Sequence, residues 1–241
     1  MKRIPPRPDI GQLKKQAKEL LAGYRLGDPV ALQRFREYLP AARGKDDASL
    51  LARSLRLHDA QSCLAREYGF PSWADLQVFV LARRVLDPLG LRYTGLPDGV
   101  RIVPRLAPTY YKDGDAPLTA DMPVYWQNWY AAGGLYSTAG DVLAFSKALY
   151  GGKLLSPASL SALLKPGLEE YGYGLWISTL KIDEKEHRFA QRPGRIMGAN
   201  ALLLRMLDDD ATIVILANTN VVDTDRLGFR LARRLLSAQP A

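Results

Sequence analysis

From Asp9 to Leu86 the apolar residues recur at intervals of three and four. Leu13, Ala17, Leu20 and Leu21 make one stripe, Val30, Leu32, Phe35 and Leu39 a second, and Leu57, Ala60, Cys63, Leu64 and Tyr68 a third. That period puts each set on one face of an α-helix. Gly27-Asp28-Pro29 closes the first helix and opens the second with a proline early in its first turn, and Gly69 ends the third, each residue standing where its backbone preference suits the helix end. Ser72 with an acid at Asp75 reads as a capping pair ahead of Leu76, Phe79, Val80 and Leu81. The spacing predicts a four-helix module over residues 1–86.

Beyond it the pattern changes twice. Over residues 97–130, Pro97, Pro104, Pro108, Pro117 and Pro123 interrupt regular structure, while Tyr110, Tyr111, Tyr125, Trp126, Trp129 and Tyr130 supply rings that pin an irregular segment to a core. Helical signals return at Thr138-Ala139-Gly140-Asp141 and at Ser156-Pro157. After Pro166 come short apolar runs, 172–181, 188–191, 200–207 and 212–218, separated by Asp183-Glu184-Lys185 and Asp208-Asp209-Asp210. Strands joined by such short polar turns pair as antiparallel hairpins. Ile213-Val214-Ile215-Leu216 is apolar on both faces and needs cover on both. A last helix, Asp225 to Leu236, is the cover for one side. The expectation is an α+β chain: a helical bundle over 1–86, then a domain over 87–241 with a three- to four-stranded antiparallel sheet and flanking helices.

Composition narrows the chemistry. A 241-residue chain that is 47% hydrophobic can bury a core. One cysteine, Cys63, excludes an internal disulfide, and with His58 and His187 it leaves too few soft ligands for zinc, so neither metal nor cofactor is expected. The N-terminus starts basic but runs into prolines, and no apolar run reaches membrane-spanning length; the expectation is a cytoplasmic protein without membrane association. The net charge of +8 is uneven, with 16 Lys and Arg against 9 Asp and Glu in residues 1–86. These charges alternate in sign, which favours a solvated helix surface over an anion-binding patch. An acidic protein or nucleic acid stays the alternative partner, nucleic acid the less favoured.

Two resemblances add to this reading. Leu13 to Lys18, Gly27 to Leu32, Asp59-Ala60-Gln61 and Ala65 to Trp73 resemble a helical segment found at the start of bacterial proteins, some of which continue into ankyrin repeats. It implies an interaction or capping role and brings no catalytic residue. From residue 85 on, Leu86 to Leu91, Thr94-Gly95, Leu106 to Tyr110, Ala132 to Asp141, Gly151 to Pro157, Tyr171 to Leu175 and Leu216-Ala217-Asn218 resemble, in order, the C-terminal part of class C β-lactamases, penicillin-binding proteins and related esterases.

That second resemblance implies a serine hydrolase. Its family uses Ser-x-x-Lys at a helix start for the nucleophile and its lysine, Tyr-x-Asn for a second proton carrier, and Lys- or His-x-Gly on a strand. A serine hydroxyl attacks only with a base beside it and an oxyanion hole opposite. Neither of the first two motifs occurs before residue 86, and the one Ser-x-x-Lys, Ser178 to Lys181, lies in a strand-like run, where positions three apart point to opposite faces. Ser178 and Lys181 are therefore weak catalytic candidates. Arg192-Pro193-Gly194 stands where Lys- or His-x-Gly would, and arginine can hold a carboxylate but not shuttle its proton near neutral pH. His187 sits in a charged turn and reads as a solvated surface residue.

The leading expectation is a β-lactamase-related chain that does not catalyse, keeping a small-molecule pocket lined by Arg192, Gly194, Tyr110 and Tyr111. One alternative is a basic interaction module at 1–86. Another is a hydrolase completed by a second chain, which would supply the missing strands at a sheet edge left unpaired.

Overall fold

The computed structural model describes residues 2–97, 102–121 and 133–237. Pro123, Tyr125, Trp126, Trp129 and Tyr130 of the proline- and aromatic-rich segment lie outside them. The chain divides into two compact units, Met1–Pro88 and Leu89–Ala241.

The first unit is helical: α1 (Ile10–Arg25), α2 (Pro29–Tyr38), α3 (Asp47–Leu51), α4 (Leu57–Glu67) and α5 (Trp73–Leu81), the last running on through a π turn at Ala82–Leu86. Capping follows the sequence signals. Asp28 accepts from the Val30 amide with Pro29 in the first turn, and Ser72 accepts from the Asp75 amide. The predicted stripes meet in one core that includes Leu32, Phe35, Leu64 and Leu76. The periodicity gives no sign of α3, whose five residues are too few to show a repeat. It is held by Asp46 at its start and by Tyr24, whose hydroxyl donates to the Leu50 carbonyl at 2.8 Å.

The second unit is built on a sheet of four strands in sequence order, β3 (Trp176–Ile182), β4 (Lys185–Ile196), β5 (Ala199–Met206) and β6 (Ala211–Ala217), every pair antiparallel. A minimal hairpin, β1 (Tyr110–Tyr111) with β2 (Thr119–Ala120), precedes it. Helices α6 (Ala139–Tyr150), α7 (Pro157–Leu163) and α8 (Thr224–Leu236) complete the unit. Register decides what each face carries. Phe189, Met206, Leu204, Leu202, Ile213 and Ile215 share one face, where Phe229, Ala232 and Leu236 of α8 cover them. Ile177 and Ala190 lie on the other face, against Tyr150 of α6 and Leu163 of α7.

Strand β4 is longer than the sequence suggested, continuing through Pro193 to Ile196. Pairing with β3 ends at Trp176 opposite Gln191, so beyond that point β4 has β5 as its one strand neighbour among the described residues. Proline is tolerated where its missing N–H has no strand to serve. Among the described residues no helix is long and apolar enough to cross a membrane, and no group of His, Cys, Asp and Glu could hold a metal ion.

Candidate functional site

The side chains that could carry chemistry come from β3, β4 and the segments before them. On β3, Ser178 stands opposite Phe189 on the face covered by α8, and its Oγ donates to Glu170 Oε1 at 2.7 Å. Lys181, three positions on, belongs to the other face, and its Nζ lies 3.0 Å from Glu184 Oε2. Both bonds are exposed to solvent. The two residues share the right spacing and not the right surface, because a strand alternates where a helix would return them to one side.

Arg192 does find a defined setting. Its guanidinium lies 5.6 Å from the centre of the Trp176 ring, and that ring packs against Tyr171 at 4.6 Å. Cation and ring attract through the ring's quadrupole. Gly194 follows two residues on, opposite Ala201. Tyr110 and Tyr111 are placed by a different clamp. The Tyr110 amide donates to the Asn218 carbonyl, the Asn218 side chain donates to the Pro108 carbonyl, and Asn220 exchanges two bonds with the backbone of Lys112. Asp121 accepts from the Gly198 amide at 2.7 Å and from Thr109. Gly198 is needed there, since a Cβ would stand 2.4 Å from the Tyr110 carbonyl oxygen. The hairpin is thus fastened to the turn between β4 and β5, and among the described residues no hydrogen bond or ring contact joins Arg192 to either tyrosine. An open groove of about 520 Å³ lies elsewhere, lined by Thr179, Leu180, Phe189, Arg226, Phe229, Arg230 and Arg233.

His187 corrects its sequence reading. It is only 4% exposed, and its Nδ1 lies 2.8 Å and 3.0 Å from the two carboxylate oxygens of Asp209. The register explains this: β4 begins at Lys185, so His187 is already inside the ladder opposite Leu180, and the Asp208-Asp209-Asp210 turn supplies its partner. Composition around a residue describes the turn, whereas register describes the side chain. Glu170 and Trp176 were missed altogether; nothing in the linear pattern marks a carboxylate eight residues ahead of the serine it holds.

The segments that carried the hydrolase resemblance are joined in space. Thr94 Oγ1 donates to Asp141 at 2.8 Å and lies 2.8 Å from Ser137 Oγ, while Gly95 and Tyr136 exchange backbone bonds. The Beta-lactamase family profile matches residues 80–237. The chain belongs to the beta-lactamase family. A human beta-lactamase-like 1 protein is 35% identical over 122 residues, covering 49% of this chain and 21% of that protein. Among solved structures, a penicillin-binding protein from Bacillus halodurans superposes with a TM-score of 0.52 at 19% identity, over 83% of this chain and 62% of that one. FmtA from Staphylococcus aureus gives 0.55 at 20% identity, over 87% and 56%. At such identities the two structures show a shared beta-lactamase-like fold. The chain spans less than two thirds of each of these relatives.

Proposed function

We propose that this chain is a non-catalytic member of the beta-lactamase family. The observation that carries the reading is Ser178, whose Oγ is bonded to Glu170 at 2.7 Å while Lys181 turns to the opposite face and pairs with Glu184. Lysine is thereby withdrawn from the hydroxyl it would have to deprotonate. A solvated carboxylate accepts the serine's hydrogen bond but is far too weak a base to hold its proton, and a hydroxyl whose bond is open to solvent has no low-dielectric site for an oxyanion beside it. Arg192 on its Trp176 platform is the residue we assign to holding a small carboxylate, without turnover. The basic helical unit serves as an interaction or capping module.

Intact-mass spectrometry after incubation with a β-lactam and with a fluorophosphonate tests the central claim. The expected result is an unchanged mass with both reagents. A stoichiometric acyl or phosphonyl adduct, on Ser178 or any other serine, overturns it.

A further inference from the structure

The two edges of the sheet are built differently. The edge strand β3 carries Ser178, Thr179 and Lys181, and its start is closed by a bridge between Tyr171 and Trp176. Polar and charged residues of this kind are how sheets keep other strands from adding on. At the other edge, β6 reads Ala-Thr-Ile-Val-Ile-Leu-Ala, with no charge, no proline and no glycine; among the described residues it pairs with β5 alone, and a parallel bridge from Tyr110 to Thr219 lies just past its end. Leu216 is 44% exposed on it. This is the composition of an interior strand.

Helix α8 repeats the pattern at the same edge. Thr224, Gly228 and Ala232 are its buried line, and Gly228 sits so close that a Cβ would stand 2.2 Å from Leu202 of β5 and 3.7 Å from Ile215 of β6. The helix is therefore seated over β5 and β6. On one flank of that line, Arg226, Phe229, Arg230 and Arg233 look towards β3 and β4, where they line the groove with Thr179, Leu180 and Phe189. Helical spacing puts Leu227, Leu231 and Leu235 on the opposite flank, towards the outer side of β6, and they are 38%, 44% and 59% exposed. An open apolar strand and an open leucine stripe thus lie side by side.

We propose that this edge is a two-fold interface with a second copy of the chain, β6 pairing antiparallel with its counterpart about Val214. The strand is self-complementary in that arrangement. Ile213 meets the partner's Ile215, Thr212 meets the partner's Leu216 and Ala211 meets the partner's Ala217, with no charge in register. The geometry closes on the helices as well. Strands lie about 4.8 Å apart, so a helix seated over β5 and β6 is about 5 Å from the two-fold axis. The two α8 helices then run about 10 Å apart, near the upper end of ordinary helix packing distances, and each leucine stripe covers the other. A two-fold contact of this kind uses one patch on both copies and stops at two. It does not depend on the non-catalytic reading, because a second copy brings no Ser-x-x-Lys beyond Ser178.

Sedimentation velocity on the full chain over a wide concentration range tests the proposal, together with two substitutions. The wild-type chain is expected to reach twice its 26.7 kDa mass. Leu231→Glu changes an exposed side chain and is expected to raise the dimer dissociation constant tenfold or more, with circular dichroism and thermal transition unchanged. Val214→Cys is expected to give a disulfide-linked dimer on mild oxidation, since directly opposed residues of an antiparallel pair have Cα atoms about 4.5 to 5.5 Å apart, within disulfide reach. The chain's own cysteine, Cys63, is buried and does not supply that link. A monomer at every concentration, an open-ended series of oligomers, a dimer indifferent to Leu231→Glu, or a well-folded Val214→Cys dimer without the cross-link each overturns the proposal.

Discussion

A side chain's chemistry is set by what stands next to it, and in this protein the reactive residue types are mostly spoken for. Ser178 has a carboxylate, Lys181 another, and His187 is held by Asp209. Cys63 is the nucleophile type with the clearest prediction. It is fully buried in the helical unit, its Sγ contacts the Arg34 carbonyl at 3.4 Å, and burial pushes its thiol up to about 12 from the ordinary 9.0. A thiol reagent at pH 8 is therefore expected to label Cys63 only as fast as the first unit unfolds, with no labelling over minutes in native buffer and complete labelling in denaturant. The sign of the pH effect follows from the same shift. Above pH 9 the unfolded thiol loses a proton that the folded one keeps, so this group lowers stability as pH rises from about 9 towards 12, by about 1.4 kcal/mol per pH unit. Below pH 9 it contributes nothing. Rapid labelling of the native protein at pH 8 would show that the thiol is not buried.

At the scale of elements, what could be read in advance was whatever depends on local period and end signals. The helices with a long apolar stripe and a capping residue formed where the stripes lie, as with Ser72 before α5, Thr138 before α6 and Ser156 before α7. The four strands and their polar turns were legible too. What was not legible depends on register and on contacts distant in sequence. The apolar run 188–191 stops short of Pro193 while strand β4 runs through it, because only the pairing of β3 reveals that among the described residues β4 has no strand on that side there. His187 looked solvated because its neighbours in sequence are charged. The clamp of Asn218, Asn220 and Asp121 on the β1–β2 hairpin joins residues up to 110 positions apart and leaves no periodic trace. Packing is close where α8 crosses β5. Gly228→Val puts side-chain atoms where Leu202 and Ile215 already stand, and overpacking of that kind costs about 1 to 3 kcal/mol. The expected outcome is a lowered urea midpoint for the sheet unit. Unchanged stability would mean that α8 can slide outward without loss, which the buried Thr224, Gly228 and Ala232 line argues against.

Among the described residues the buried apolar side chains form three clusters. One cluster draws its residues from Leu13 to Val80, and the two others from Tyr150 to Leu236. The family match, over residues 80–237, covers the two later clusters and only Val80 of the first. Compact units with buried clusters of their own can open as separate foldons. Phe35 gives a direct test. It is fully buried in the helical unit and packs edge-on against Tyr24 at 5.3 Å, and truncating a buried phenylalanine costs about 3 to 5 kcal/mol. In native-state hydrogen exchange, Phe35→Ala is therefore expected to strip protection from α1, α2 and α4 by a factor of a hundred or more. Protection over β4, β5 and α8 is expected to stay within a few-fold of wild type. If protection fell equally across both units, the helical module would be an integral part of the beta-lactamase-like fold. If the loss stays confined, residues 1–88 are a unit whose stability can change without touching the sheet, and its role is to be sought separately.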